Sequence, residues 1–570
     1  MAQLSISTFH SLPGRGWPHL LRFFLVFMLA TWAAGCASLP SNVARPASTA
    51  FNAPDDTPLG RLTLQRRSQA ATRSDSAFRL LDSVDLAFTS RLALIEGAQK
   101  TLDLQYYAIH ADASTEQLLQ RLRAAAARGV RVRILLDDFN TVGADAQVLR
   151  LAFLQNIELR LYNPLPGSRA SMIGRIFTSL HDVGRIQKRM HNKLFIADNA
   201  WGIAGGRNLG DEYFGRGEES NFIDLDILAT GRIVRDMSTS FDSYWNNELA
   251  YPVESLLDPK DLENLRKPPI PEGGDVSRGP LPSTAAATVT HTVSVLPDVT
   301  TTGVQSRALD LRQVPLIWAP SALMVDKPGK VGPGDDEVDA GDTVIDGLLA
   351  LMAQAREDVL IISPYFVPGA EMMKVLGAMR QRGIRIRVMT NSLASNDAPA
   401  AHAGYARYRK QLLEIGVQLF EMRAEQSGAV DGMGSGVNTR GARSSGLFGS
   451  GGGIGGSKAA TGRASLHSKA VIIDSRLAVI GSMNLDLRSQ LKNSEVALVI
   501  RSPALAQQAV RLVDTSLARG AYRVELAGGK LHWRAPPEAP FKDATSEPEA
   551  STRLKLFVNI LGPLAPEEML

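Results

Sequence analysis

Cysteine is almost absent: the chain of 570 residues carries one, Cys36. No intrachain disulfide and no cysteine-based metal cluster can form, so stability must come from burial. A large excess of one charge is missing too, since 62 Lys+Arg stand against 58 Asp+Glu for a net charge of +4. That mild balance suits anionic lipid headgroups or nucleic acid without choosing between them. The apolar run at residues 23–34 (FFLVFMLATWAA) is too short to span a bilayer comfortably. With 44% hydrophobic residues the composition is globular, neither disordered nor polytopic. The length exceeds one ordinary core, so two domains are expected.

What is present is one pattern written twice. Residues 189–208 read RMHNKLFIADNAWGIAGGRN and residues 466–484 read LHSKAVIIDSRLAVIGSMN. Each copy has a His and a Lys two apart (His191 and Lys193; His467 and Lys469) at the head of an apolar strand. In an extended strand that spacing puts both on one face, roughly 7 Å apart, where imidazole and ammonium can meet one ligand. Five residues after each Lys comes an Asp at a turn, Asp198 or Asp474, then a return strand and a small pair, Gly205-Gly206 or Gly481-Ser482. Small residues let something approach the backbone closely. Each copy ends in an Asn, Asn208 or Asn484, whose amide donates hydrogen bonds without charge. Two His, two Lys and two Asn suit a phosphodiester. A single copy would read as an ordinary histidine before a strand; duplication of the same polar positions defeats that reading.

The spacing His-x-Lys, four residues, Asp, six residues, Gly-Gly/Ser, one residue, Asn resembles the paired signature of the phospholipase D superfamily. The likeness extends from about residue 91 to the C terminus, and within the superfamily the chain resembles bacterial cardiolipin synthases of the C type. The string MHNKLFIADNAWGIAGGRNLGDEYFGRGEESNFIDLDI carries much of it. The resemblance implies a phosphatidyltransferase acting on phospholipid substrates, phosphatidylglycerol and another phosphatidyl donor, at a membrane surface. It also implies covalent catalysis, one His forming a phosphohistidine and the other moving protons; the family's order makes His191 the nucleophile and His467 the acid and base. Lys193, Lys469, Asn208 and Asn484 would hold the nonbridging oxygens. An accessory protein encoded nearby is a further expectation, and nucleic acid is not an expected partner of an exported, lipid-anchored chain.

The signature specifies a phosphodiester and not its substituents, so a phospholipase D hydrolase or a nuclease on the same scaffold stays open. A noncatalytic tethered binding protein would be expected to have lost part of one copy; both are intact. Asp198 and Asp474 read as hairpin residues that also steady the nearby Lys. Asp224 and Glu495, each opening the strand after a signature, read as carboxylates that orient imidazoles. With cationic side chains supplying the phosphoryl clamp and no metal-ligand spacing present, no metal or other cofactor is expected.

Along the chain, Arg15 and Arg22, the apolar run and Ala33-Ala34-Gly35-Cys36 resemble a bacterial lipoprotein signal spanning residues 1–36, with Cys36 the lipid anchor. Ala37 and Ser38 after it favour the outer membrane over the inner, with the body facing the periplasm. Residues 37–76 read as a flexible tether, 77–251 as a first domain, 252–312 as an irregular connector and 313–570 as a second domain. A Gly/Ser-rich insert at 428–461 is a spacer, or a lid beside the second signature. Strands alternate with helices in both halves: ARGVRVRILLDD corresponds to QRGIRIRVMTNS. The fold class is therefore α/β, and the resemblance makes it two homologous α/β/α sandwiches with the site at their pseudo-twofold interface. Ser114 and Gln117 form a capping-box pattern. Arg131, Arg133, Arg385 and Arg387 read as a solvated strand edge, and Tyr106, Tyr107, Tyr365 and Phe366 as strand-end aromatics, in the core or lining a lipid channel. Residues 554–570 read as a packed helix and tail.

Overall fold

The structure is a computed structural model that describes residues 39–266 (apart from 168, 170, 171, 180, 181, 219 and 258), 307–332, 343–425 and 463–562 (apart from 538). The signal with Cys36, most of the connector 252–312, the insert 428–461 and the tail beyond 562 lie outside the described residues.

Two nine-stranded sheets organise these residues. The first runs in the order Ile317–Trp318, Ser76–Leu81, Asp226–Gly231, Trp201–Gly205, Leu194–Ala197, Thr101–Tyr106, Arg131–Asp137, Ile157–Tyr162, Ala250–Pro252. The second runs Ser321–Val325, Val496–Arg501, Leu477–Gly481, Ala470–Ile473, Asp358–Ile362, Arg385–Asn391, Gln418–Met422, Ala521–Ala527, Lys530–Arg534. From Ser76–Leu81 and from Ser321–Val325 onward the two orders match strand for strand, which is the duplication seen in the signatures. Strands such as Thr101–Tyr106 and Asp358–Ile362 are buried on both faces. Burial on both faces requires a cover on each side.

Helices supply those covers. Val84–Gly97 and Ala113–Ala127 pack their apolar faces on the outer side of the first sheet, Leu118, Leu119 and Leu122 being buried. Val344–Ala353 and Gly369–Gln381 do so on the second. Between the sheets, Arg232–Trp245 and Pro503–Gly520 bury Phe241, Trp245, Val513 and Leu517 in one apolar cluster that contains residues of both halves. Each half is thus an α/β/α sandwich, and the inner layers are fused.

Several sequence expectations are corrected here. The tether 37–76 is held to the first domain: Arg160 and Arg133 donate to the carbonyls of Pro46 and Ser48 at 2.6 and 2.9 Å, and Ala50 N–H donates to Asp242 at 2.8 Å. Pro58–Ser68 is a helix capped by Thr57, with Leu59 in the core. Polar composition hid a segment whose backbone is bound by buried arginines. The second domain starts near residue 321 instead of 313, because Leu311 and Val314 pack on the first half and Ile317–Trp318 joins its sheet. The helix at Ala113–Ala127 is capped by Asp112, which accepts from Thr115 N–H at 3.0 Å, and not by Ser114. Arg131–Asp137 and Arg385–Asn391 are interior strands, not edges. Arg385 is exposed, whereas Arg133 is wholly buried, its Nε 2.7 Å from Asp103 and its Nη2 2.8 Å from Asp242. The C-terminal helix, Thr552–Leu561, packs Leu554 and Val558 against Leu393 and Ala403.

Arg133 sits where strand, inner helix and N-terminal segment meet, so its loss leaves Asp103 buried and uncompensated. Arg133→Ala is expected to lower unfolding stability by about 3–5 kcal/mol in urea titration. The double variant Asp103→Asn, Arg133→Met should recover part of that loss.

Candidate active site

Each signature histidine begins at a place where the backbone of one half is bonded to the other. Ser220–Ile223 from the first half pairs in parallel with Arg463–Leu466 from the second. The N–H groups of His467 and Ser468 continue this pairing onto the Ile223 carbonyl at 2.8 and 3.0 Å. On the other side of the pseudo-twofold axis, Met190 bridges Ser494. His191 N–H donates to the Ser494 carbonyl at 2.9 Å, and Ser494 N–H to the Arg189 carbonyl at 3.0 Å. The segment leading to each histidine therefore lies against the segment leading to the other half's carboxylate.

The imidazoles consequently take crossed partners. His191 Nδ1 lies 3.0 and 3.1 Å from the two oxygens of Glu495, and His467 Nδ1 lies 2.6 Å from Asp224 Oδ2. Both carboxylates are completely buried and both rings nearly so. Burial lowers the His191 pKa to about 4, against the opposing pull of Glu495. Burial, then the two lysines and His191, hold His467 well below its ordinary value. In the neutral ring, Nδ1–H donates to the carboxylate and the Nε2 lone pair is left for a substrate.

The lysines complete a cationic floor. Lys193 Nζ donates to the His191 carbonyl at 2.7 Å, and Lys469 makes the same contact with the His467 carbonyl. Burial lowers their pKa values to about 7 and about 8, opposed at Lys193 chiefly by Glu495 and at Lys469 by Asp224 and Glu495. An arriving phosphodiester anion favours their charged forms and is held by them. Tyr107 stands edge-on to His191 with centroids 5.2 Å apart, and the Lys193 ammonium lies 5.6 Å from its ring centre. Of the four strand-end aromatics, Tyr107 belongs to the site, whereas Tyr106 and Phe366 are core.

The small pairs after the return strands serve the carboxylates. A Cβ on Gly206 would stand 2.5 Å from Asp224 Oδ1 and 3.1 Å from the His467 carbonyl. What approaches the backbone there is Asp224. Ser482 holds the matching place in the second half, and its hydroxyl donates to Glu495 at 2.5 Å. Ser489 donates to the other oxygen at 2.9 Å. His191, these hydroxyls and Lys193 together hold Glu495 below the usual carboxylate range despite its burial, while burial leaves Asp224 raised.

Asp198 and Asp474, read as hairpin residues that also steady the nearby Lys, stand at the hairpin turns and away from those lysines. Each adopts φ near +50° at its turn. Asp198 accepts the N–H groups of Gln99, Lys100 and Thr101 at 2.9, 2.7 and 2.9 Å, and Asp474 accepts those of Arg356, Glu357 and Asp358 at 3.0, 2.8 and 3.1 Å. The strand between each Lys and its Asp separates them by roughly 16 Å. These aspartates lock the hairpin to the neighbouring strand and are positioning residues. The paired Asn are brought into the site: Asn208 bonds Ala108 N–H and Tyr213 at 3.3 and 3.0 Å, while the buried Asn484 amide oxygen has no hydrogen-bond partner among the described residues.

Sequence reasoning missed Tyr213 and Phe222, whose rings lie 5.4 and 4.9 Å from that of His467, and also Ser489 and Arg207. Arg207 donates to the Asp224 carbonyl at 2.8 Å while its Nε is 3.2 Å from Asp226. The mismatch between GGRN and GSMN in the two copies was its one signal.

Two outcomes follow from this geometry. Gly206→Ala should displace Asp224 and lower turnover about a hundredfold with the fold retained, measured by kinetics beside circular dichroism. Because the His191 pKa is lowered to about 4, its ring 15N shifts should remain those of neutral imidazole at pH 6, where a solvated histidine is roughly three quarters protonated.

The sequence has known counterparts. The chain matches the family described as cardiolipin synthase, PLD-like domain, over residues 92–245, 348–434 and 451–515. It is 36% identical over 500 residues to cardiolipin synthase C of Escherichia coli, covering 86% of this chain and 96% of that protein. It is 30% identical over 542 residues to an uncharacterized protein of Helicobacter pylori, covering 94% and 98%. Against a cardiolipin synthase of Geobacillus kaustophilus it is 25% identical over 445 residues, covering 78% and 66%. With both signatures converged on one buried site, the chain belongs to the phospholipase D-like cardiolipin synthase family and is an enzyme of the phospholipid phosphatidyltransferase type.

Proposed function

We propose that this enzyme makes cardiolipin, moving a phosphatidyl unit from one phospholipid to a glycerol hydroxyl of phosphatidylglycerol. The observation that carries the reading is the crossed pair of buried imidazole–carboxylate dyads over two lysines. Such a site offers a nucleophile, a separate proton carrier and a clamp for the phosphoryl oxygens. His191 Nε2 attacks phosphorus as the neutral imidazole, and His467 enters this step as the imidazolium, a form that the arriving phosphodiester anion and Asp224 favour. The bond from phosphorus to the departing alcohol breaks, and that oxygen takes the Nε2 proton of His467. In the second step the acceptor hydroxyl gives its proton to His467 and its oxygen to phosphorus, and the bond to His191 breaks. Glu495, kept ionised by His191 and the serine hydroxyls, balances the charge that His191 gains, which supports His191 as the nucleophile. Lys193, Lys469, Asn208 and Asn484 bind the nonbridging oxygens.

The same reading sets the enzyme at the surface of a bacterial envelope membrane, tethered through Cys36 on the periplasmic side, with the outer membrane favoured and an accessory protein as a partner.

Lipid mass spectrometry after incubation in membranes containing labelled phosphatidylglycerol tests it. New cardiolipin should form, and His191→Ala should reduce it roughly a thousandfold or more. Phosphatidic acid as the sole product would make the enzyme a hydrolase and overturn the reading.

A further inference from the structure

The two halves differ where the alcohol of a substrate would lie. Leu102 pairs with Ala197 and Val359 with Ile473, and the bridges Ile109 to Leu209 and Phe366 to Leu485 keep the same offset. Ala108 of the first half thus stands where Tyr365 stands in the second. Asn208 has its amide oxygen occupied by Ala108 N–H and its Nδ2 by Tyr213. Asn484, also buried, retains an amide oxygen with no partner among the described residues. The next residue, Leu485, is tied to the Tyr365 backbone through Ser363, whose hydroxyl accepts from Leu485 N–H at 3.0 Å and donates to the Tyr365 carbonyl at 2.6 Å.

A hydroxyl-rich cluster extends from Tyr365. Tyr365 donates its O–H to Asp397 Oδ2 at 2.6 Å. The Ser465 hydroxyl is 3.5 Å from Asp397 Oδ1, and Ser465 lies two residues before His467, on the same face of the strand. Tyr365 is half-buried and Asp397 exposed, so the cluster opens to solvent while reaching the site. Lys469 lies within electrostatic reach of Asp397, as do Glu212 and Tyr213 from the first half. Around Tyr107, on the His191 side, the neighbouring charges are the Asp137 carboxylate and the guanidinium groups of Arg488 and Arg189. The site is therefore polar along its length, with carboxylate and hydroxyl groups at the His467 end.

Carboxylates at Asp397 and Glu212 repel a second phosphate but accept hydrogen bonds from alcohols. Asp397 and the Asn484 oxygen offer two acceptors, and the Tyr365 and Ser465 hydroxyls can donate or accept. We propose that Tyr365, Asp397, Ser465 and Asn484 form a polyol subsite that holds a vicinal diol, the glycerol end of a headgroup, beside His467. The proposal rests on the phosphatidyl-transfer reading above. One hydroxyl of the diol is presented to phosphorus: its oxygen forms the new P–O bond, its proton passes to His467 Nε2, and the P–N bond breaks with its electron pair returning to His191. The second hydroxyl is held by the cluster and selects the acceptor.

A competition reaction tests this. The full chain in phosphatidylglycerol vesicles receives equal amounts of 1,2-propanediol and 1-propanol, and the two phosphatidyl products are counted by mass spectrometry. Both arise from the same active molecules, so loss of folded protein cancels from their ratio. The unmodified enzyme is expected to favour the diol by about tenfold or more, and Tyr365→Phe and Asp397→Asn to bring the ratio down toward one. A ratio near one in the unmodified enzyme, or a ratio that neither variant moves, overturns the subsite while leaving phosphatidyl transfer standing. Phosphatidic acid with no alcohol product from the unmodified enzyme would instead remove the transfer reading and the subsite with it.

Discussion

Everything in the catalytic region depends on one exchange: each half lends its carboxylate to the other half's imidazole. A buried histidine beside two lysines is a poor base and a poorly oriented nucleophile unless an anion faces its Nδ1. That anion does not come from its own signature. It arrives because Ser220–Ile223 pairs with Arg463–Leu466, and because residues 189–191 bond to Ser494. The apolar cluster holding Phe241, Trp245, Val513 and Leu517 presses the halves together and keeps water from the dyads. Docking of the halves and assembly of the site are thus one event, and the low dielectric that makes the dyads effective is produced by the same contact.

The two dyads solve one geometric problem in two ways. In the first half the carboxylate is the shorter Asp224, and Gly206 lets it sit against the backbone. Arg207 holds its carbonyl from behind and is itself paired with Asp226, which also bonds Arg91 at 3.0 Å. In the second half the carboxylate is the longer Glu495, and two serine hydroxyls hold it. Burial raises both acids, but His191 first, then Lys193 and the Ser482 hydroxyl, outweigh it at Glu495, so Glu495 and Asp224 shift in opposite directions although both are wholly buried. Chemical inequality between the dyads is what a two-step transfer needs, since one ring must hold phosphorus while the other carries the proton. The inequality extends to Asn208 and Asn484: the amide oxygen of the first accepts from Ala108 N–H, leaving it a second amide hydrogen to donate beside the one on Tyr213, while the amide oxygen of the second has no partner among the described residues.

Much of the site was legible because it was written twice. His191, Lys193, Asn208 and their partners at 467, 469 and 484 stood out by repetition, and the structure brings all six to the place where the halves meet. Residue type alone misled where context overrides it. Arg133 carries the alternation of an exposed strand, yet it neutralises Asp103 inside the fold and ties down Ser48 and Asp242. The polar stretch before residue 76 resembles a linker because its bonds to the body use backbone groups, which no side-chain pattern reveals. Asp198 and Asp474 share the signature with the reacting groups but face three backbone N–H donors at the far end of a hairpin. A motif records which residues travel together, not which of them touch substrate.

By itself the sequence determined the alternation of strands and helices, the duplication, and the chemical kit of a phosphodiester site, because periodicity and spacing are properties of a chain before it folds. Only the tertiary structure decided which carboxylate serves which histidine. Glu495 is 304 positions from His191 and Asp224 is 243 from His467, and no local rule relates residues so far apart. The pairing is settled by strand registry between two sheets and by burial of one shared apolar face, which exist only once both halves have met.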